Sequence, residues 1–163
     1  MASRLVKVMD RIICKEQSAF IAGRQILDGP FILNETMEWC KKRKEKLMIF
    51  KIDFEKAYDT VPWDFLNYML NLLGFGCVWH SWVCMVLKSS RTSILVNGSP
   101  TDEFTVRRGL RQGDPLSPFL FLIVMEELHL CIKEKILEGV FHGVSLSNNS
   151  TMVYHFCMRM MRL

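Results

Sequence analysis

The spacing of apolar residues changes repeatedly along the chain, and each change predicts an element. Leu27, Phe31 and Ile32, followed by Asn34, Glu35 and Trp39, fall at helical spacing and predict a helix over residues 26–40. The basic run KKRKEK, Lys41 to Lys46, closes it, and a solvated helix end accounts for those charges better than a phosphate contact. In LMIFKIDF, residues 47–54, Met48, Phe50, Ile52 and Phe54 share one face while Ile49, Lys51 and Asp53 share the other. That period of two predicts a strand carrying a carboxylate at its end. The stretch YDTVPWDFLNYMLNLLGFG then offers Asp59 or Thr60 as a cap, Pro62 near the first turn and Gly74 as a stop. Its apolar stripe, Phe65, Leu66, Met69, Leu70 and Leu73, predicts a short amphipathic helix. A second helical stretch, Val78 to Leu87, leads to TSILVNGSPTDEFTVRRG, where two β-prone runs around Asn97 and Gly98 predict a hairpin with a longer loop. Last comes a Gly/Pro-rich loop, RQGDPLSP, entering a long buried helix with Ser117 as cap, Pro118 in the first turn and apolar residues to Leu137.

Composition narrows the class without naming a function. The chain has 163 residues, half of them apolar, which is the size of one domain with a core of its own. Lys and Arg number 21 against 17 Asp and Glu, a net charge of +4 that leans toward anionic partners but falls short of a polybasic module. Six cysteines are scattered without a CxxC pair, so reduced thiols and an intracellular location are expected. The most apolar run, Phe119 to Met125, is too short to span a bilayer and meets Glu126 and Glu127 at once, so no membrane partner is expected.

Candidate chemistry begins at Asp53. A carboxylate ending an apolar strand is costly unless it is paired, hydrogen-bonded or bound to a metal; a strand-end aspartate facing water is the competing reading. Tyr58 and the acids Glu55 and Asp59 follow directly, and the later glycine in RQGDPLSP lets backbone approach a flat ligand closely. Cys77, His80 and Cys84 form C-x2-H-x3-C, but with helical apolar neighbours and no fourth ligand nearby they read as packing rather than zinc. Glu126 and Glu127 lie inside the long helix and read as residues of its polar face.

The stretches QSAFIAGRQILDG, FKIDFEKAYDTVPW and GLRQGDPLSPFLF, in this order and at these separations, resemble the reverse transcriptase domain of plant non-LTR (LINE-type) retrotransposons. The resemblance implies an α+β fold: a partial fingers and palm of a right-hand polymerase over residues 1–156, with an antiparallel palm sheet packed on helices. It implies that Asp53 holds catalytic magnesium and that the backbone at Phe54 lies along an incoming deoxynucleoside triphosphate. By the same resemblance Tyr58 stands at the gate against a 2′-hydroxyl, and Gln112 and Gly113 contact the nucleotide. Arg111, Pro115 and Ser117 would pack toward template and primer, with Arg24 on the template side. The partners implied are an RNA template, a DNA primer and deoxynucleoside triphosphates.

Nucleotidyl transfer uses two magnesium ions about 4 Å apart, which one carboxylate cannot hold. The family supplies more as an aromatic-Ala-Asp-Asp hairpin after an apolar segment such as VYHF; here residues 157–163 read CMRMMRL. Those residues are expected to be an aberrant tail, and the genetic code suggests its origin. If each codon is read from the last base of the one before, Met160 followed by Met161 must give GAT, an aspartate. If Arg159 is CGG and Cys157 is TGT, the shifted text becomes Leu-Tyr-Ala-Asp-Asp, so HFCMRMMRL is expected to be that motif one base out of frame. Sequencing the gene checks this, because an Arg159 codon other than CGG removes the motif. The resemblance also implies truncation at both ends, an uncovered apolar face beside the Asp53 strand and poor solubility. Two functions follow as expectations: a polymerase-derived remnant without catalysis, or an interaction module using Arg24, Lys41 to Lys46, Arg107, Arg108 and Arg111 as a basic surface.

Overall fold

A computed structural model describes residues 1–52, 54–140, 142–145 and 152–153. Asp53 and the stretch HFCMRMMRL, which carry the expected metal chemistry and the expected frameshift, lie outside the described residues. The chain divides into two compact units, Met1–Phe54 with Glu126–Leu163, and Glu55–Met125.

The first unit opens on a helix to which the apolar pattern assigned no element. Helix α1 (Ala2–Ile12) buries Leu5 and Met9, one turn apart, and Ile13 continues that stripe just past its end. Helix α2 (Asp28–Arg43) matches the expected helix but not its face: Gly29, Thr36 and Cys40 are buried, whereas Phe31 is 62% exposed. The Thr36 hydroxyl donates to the Ile32 carbonyl at 2.7 Å, which satisfies it inside the buried stripe. Lys44 closes α2 in the left-handed conformation, and Arg43 lies over the Trp39 ring at 4.0 Å, so the basic run does end the helix.

The strand expected over 47–54 is not formed among the described residues. Residues 47–52 and Phe54 carry no strand assignment and no ladder partner stands beside them, while Met48 is 78% and Phe50 81% exposed. Alternation specifies which face a strand would bury, but a strand exists only where a neighbour takes its backbone donors and acceptors. Exposed aromatic and methionine side chains in one short stretch favour association. Replacing Met48 and Phe50 by serine is expected to raise the concentration at which the protein stays monodisperse by light scattering, without lowering its unfolding midpoint.

The second unit starts with α3 (Trp63–Leu72) and α4 (Cys77–Lys88), two helices in contact and joined by a short loop. Leu66, Met69 and Leu70 of α3 and Val83 of α4 are fully buried, as the stripe requires. The expected cap is corrected: Pro62 occupies the N-cap with no side-chain bond, and the Thr60 hydroxyl donates backward to the Lys56 carbonyl at 3.1 Å. Gly74 ends α3, its N–H bonding Asn71 while Phe75 N–H bonds Leu70, both at 3.0 Å.

The hairpin runs through β1 (Arg91–Thr92), β2 (Leu95–Val96), β3 (Ser99–Pro100) and β4 (Phe104–Thr105). Asn97 and Gly98 both have positive φ, 50° and 82°, so the connection is a tight two-residue turn rather than the longer loop expected. Register passes from Arg91↔Thr105 to Leu95↔Pro100, which sets residues 93–94 against 101–103; the extra residue on the returning strand is a bulge.

Helix α5 (Ser117–Leu137) is continuous, and the division between the units falls within it, between Met125 and Glu126. Its first turns bury Leu120, Phe121, Leu122 and Ile123 in succession, the pattern of a helix covered on all sides. In the first unit, β5 (Val144–Ser145) pairs antiparallel with β6 (Met152–Val153). Helices with small antiparallel strand pairs, and among the described residues no closed barrel, make this a mixed α+β fold, as expected. Among the described residues no helix is long and apolar enough to cross a membrane.

Candidate functional site

Two loops of the second unit are joined by their backbones. Leu110 N–H donates to the Tyr58 carbonyl and Gly109 N–H to the Val61 carbonyl, each at 2.8 Å, and Trp63 Nε1 returns a bond to the Gly109 carbonyl at 2.8 Å. The approach is so close that a Cβ on Gly109 would stand 2.7 Å from the Asp59 carbonyl oxygen. The chain therefore holds the turn after the Asp53 strand motif against the entry to RQGDPLSP, residues that lie about fifty positions apart.

The RQGDPLSP loop is built from its own side chains. Asp114 Oδ1 accepts Leu116 N–H at 2.8 Å, the turn geometry an aspartate favours before a helix. Ser117, 5% exposed, donates its hydroxyl to the Arg111 carbonyl at 2.7 Å. The serine expected as a helix cap thus closes the loop instead, its hydroxyl bonded to a carbonyl six residues back. Gly113 takes φ of +84°, and Arg111, Gln112, Gly113 and Pro115 are exposed. Tyr58 is half-buried against Phe121 with ring centroids 5.2 Å apart, and burial pushes its hydroxyl up from the ordinary tyrosine range.

A groove of about 750 Å³ opens beside this loop, lined among others by Asp59, Arg91, Arg107, Arg108, Arg111 and Gln112. Four guanidinium groups against few carboxylates make it a cationic concavity, suited to phosphates by charge and fork geometry. Of the residues singled out in the sequence, Tyr58, Arg111, Gln112, Gly113, Pro115 and Ser117 belong to this unit, while Arg24 and Phe54 belong to the other. Arg91, Arg107 and Arg108 carry the groove as much as Arg111 does. Of these, Arg91 was not singled out by the sequence, since an isolated arginine at a hairpin start has no motif of its own.

Arg24 is committed within the first unit. Its guanidinium donates to the Asp10 carboxylate at 2.8 Å, to the Gln17 carbonyl at 2.6 Å, to Ile13 at 3.3 Å and to Cys14, where α1 ends and the chain turns. With its side chain 13% exposed, those bonds fix the turn and satisfy carbonyls left open at the end of α1. Arg24→Ala is expected to lower stability by about 2–3 kcal/mol in a denaturant titration, and Arg24→Lys to restore less than half, because one ammonium cannot reproduce a planar fork.

The described residues that could hold a cation differ from the expected magnesium set. Cys14, Glu126 and His129 form a close group of potential ligand atoms, and sulfur and imidazole are poor ligands for magnesium. Glu126 is also a correction to the sequence reading: it is 6% exposed, not on a polar face, and both its oxygens accept the Cys14 N–H, at 3.2 and 3.1 Å. The C-x2-H-x3-C residues stay with packing, since Cys84 bonds Asn67 Oδ1 at 3.2 Å and the three are not gathered as ligands.

The fold, the loop junction and the three motifs define a polymerase domain, and the chain belongs to the reverse transcriptase (RNA-dependent DNA polymerase) family, whose model matches residues 1–156. Within it, the chain is a reverse transcriptase domain of the non-LTR retrotransposon type. It is 33% identical over 141 residues to the Pol polyprotein of a type-1 retrotransposable element R2 from Popillia japonica, covering 80% of this chain and 20% of that protein. It is 30% identical over 137 residues to an uncharacterized 149 kDa protein of transposon TX1 from Xenopus laevis, covering 84% of this chain and 10% of that one. An uncharacterized mitochondrial protein of Arabidopsis thaliana matches at 43% over 61 residues, 37% of this chain and half of that protein. The chain thus spans between a tenth and a fifth of the two retrotransposon proteins' length. Proteins of this family use a divalent metal such as magnesium and bind an RNA template and nucleotides.

Proposed function

We propose that this chain is a reverse transcriptase fingers and palm segment that keeps the framework for template and nucleotide but does not polymerise by itself. The observation that carries the reading is the junction of the Tyr58 turn with Gly109 and Leu110, which holds the RQGDPLSP loop in a defined conformation beside the cationic groove. In this reading Asp53 is the carboxylate for magnesium, Phe54, Tyr58, Gln112 and Gly113 face the nucleotide, and Arg111, Pro115 and Ser117 face template and primer. Arg24 serves the template side indirectly, by fixing the turn that carries it.

Loss of catalysis is supported by the text of residues 157–163, which contains no carboxylate where the family places its aspartate pair. In this reading Asp53 alone is too small a donor set for two metal ions. Primer extension with magnesium is the test, comparing this chain with a version restored to the shifted frame and continued through the hairpin. Extension is expected only from the restored version, and extension by the present chain overturns the proposal.

A second reading, a binding module, is favoured by Arg91, Arg107, Arg108 and Arg111 around one groove. A titration with RNA–DNA hybrid should then lose affinity steeply with salt, and Arg107→Ala with Arg108→Ala should flatten that dependence by about two phosphate contacts. Absence of saturable binding rejects this reading.

A further inference from the structure

The polymerase reading leaves one cluster without a role. Cys14 lies just beyond α1, and Glu126 and His129 stand one turn apart on α5, so the i, i+3 spacing places both on one helix face. One ligand atom from each of the three lies within 4.8 Å of the others, and all three residues belong to the same unit. Glu126 is buried, an expensive place for a carboxylate unless cations or donors surround it.

We propose that Cys14, Glu126 and His129 form a transition-metal site that takes zinc, joining the turn after α1 to the second half of α5. The donor set is one sulfur, one imidazole and one carboxylate, a combination that suits zinc and excludes magnesium or calcium. Ligand atoms around tetrahedral zinc stand about 3–4 Å apart, so small side-chain rotations close the group around an ion. Glu16 Oε2 lies 3.9 Å from His129 Nε2, where a carboxylate fixes the ring of a metal-bound imidazole. Three protein ligands leave a fourth position for water. Burial first, and then the Glu126 charge, pushes the Cys14 thiol up to about 12, and a divalent cation reverses that local field.

The site is independent of the proposed polymerase chemistry and can be tested without it. The full chain, stripped with a chelator, is titrated with cobalt(II) as an optical substitute and then with zinc. One cobalt per chain is expected, with a thiolate charge-transfer absorption that zinc displaces. Cys14→Ser should abolish that absorption, and both it and His129→Ala should weaken zinc at least about 100-fold in competition with a chromophoric chelator. Cys77→Ser and Cys131→Ser, at exposed thiols, should leave both readouts unchanged. Glu126→Gln keeps an oxygen for the Cys14 N–H while removing the ligand charge, so it probes the site even where Cys14→Ser lowers folding. Failure of the unaltered chain to bind stoichiometrically overturns the proposal. So does charge-transfer absorption that persists in Cys14→Ser or disappears only in Cys77→Ser or Cys131→Ser.

Discussion

Gly109→Ala is expected to cost the second unit about 3 kcal/mol or more and to release the RQGDPLSP loop. Gly109 has φ of +88°, where an L side chain is strained by about 1–2 kcal/mol. Strain alone would be tolerated, but the new methyl would also meet Asp59 backbone at 2.7, 3.0 and 3.0 Å. Backbone atoms tied into the Val61 and Tyr58 bonds cannot move aside as a flexible side chain would. The alternatives are to break those bonds or to shift the turn, and either separates the two motifs. Fluorescence of Trp63, whose indole donates to the Gly109 carbonyl, reports the junction during a denaturant titration in a background where Trp39, Trp79 and Trp82 are replaced by phenylalanine. Gly113→Ala is the control: φ is +84° but nothing lies within 4 Å of the new Cβ, so about 1 kcal/mol is expected. Equal losses in the two variants would show that strain, not the close approach, sets the cost.

Leu66→Ala is expected to cost about 3–4 kcal/mol, because Leu66 is fully buried on α3 and its removal leaves a cavity in a packed core. Phe31→Ala removes a larger side chain, yet at 62% exposure it should change stability by no more than about 0.5 kcal/mol. The comparison, read as unfolding midpoints in urea, inverts the ranking that side-chain size alone would give. A loss above about 2 kcal/mol for Phe31→Ala would mean that its ring is covered in solution.

These two positions also show where the apolar pattern is informative. On α3 the stripe Leu66, Met69 and Leu70 named the buried face correctly, because a short helix between a turn and a glycine has little freedom to bury another side. On α2 the pattern marks the helix but not its buried face. Gly29, Thr36 and Cys40 are small and carry little hydropathy signal, yet small residues are what allow close approach of a neighbouring segment. Helix α1 carries the i, i+4 pair Leu5 and Met9, but no capping side chain marks its start.

The sequence by itself determined the family, through three motifs in order, and it determined the helices α3, α4 and α5 and the hairpin around Asn97 and Gly98, though not the tightness of its turn. Each of those is local: caps, periodicity and glycine positions act within one or two turns of chain. Only the tertiary structure decided that Arg24 is consumed by the end of α1, that Ser117 closes a loop rather than capping a helix, and that Arg91 joins the groove with Arg107, Arg108 and Arg111. The same holds for the expected strand through Ile49 and Lys51, whose alternation is clear but whose partner is not among the described residues. It holds again for Cys14 with Glu126, 112 positions apart, which no spacing rule would pair. Such contacts depend on which distant donors and acceptors the fold brings within about 3 Å, and hydrogen bonding at that range leaves no periodic trace in the chain.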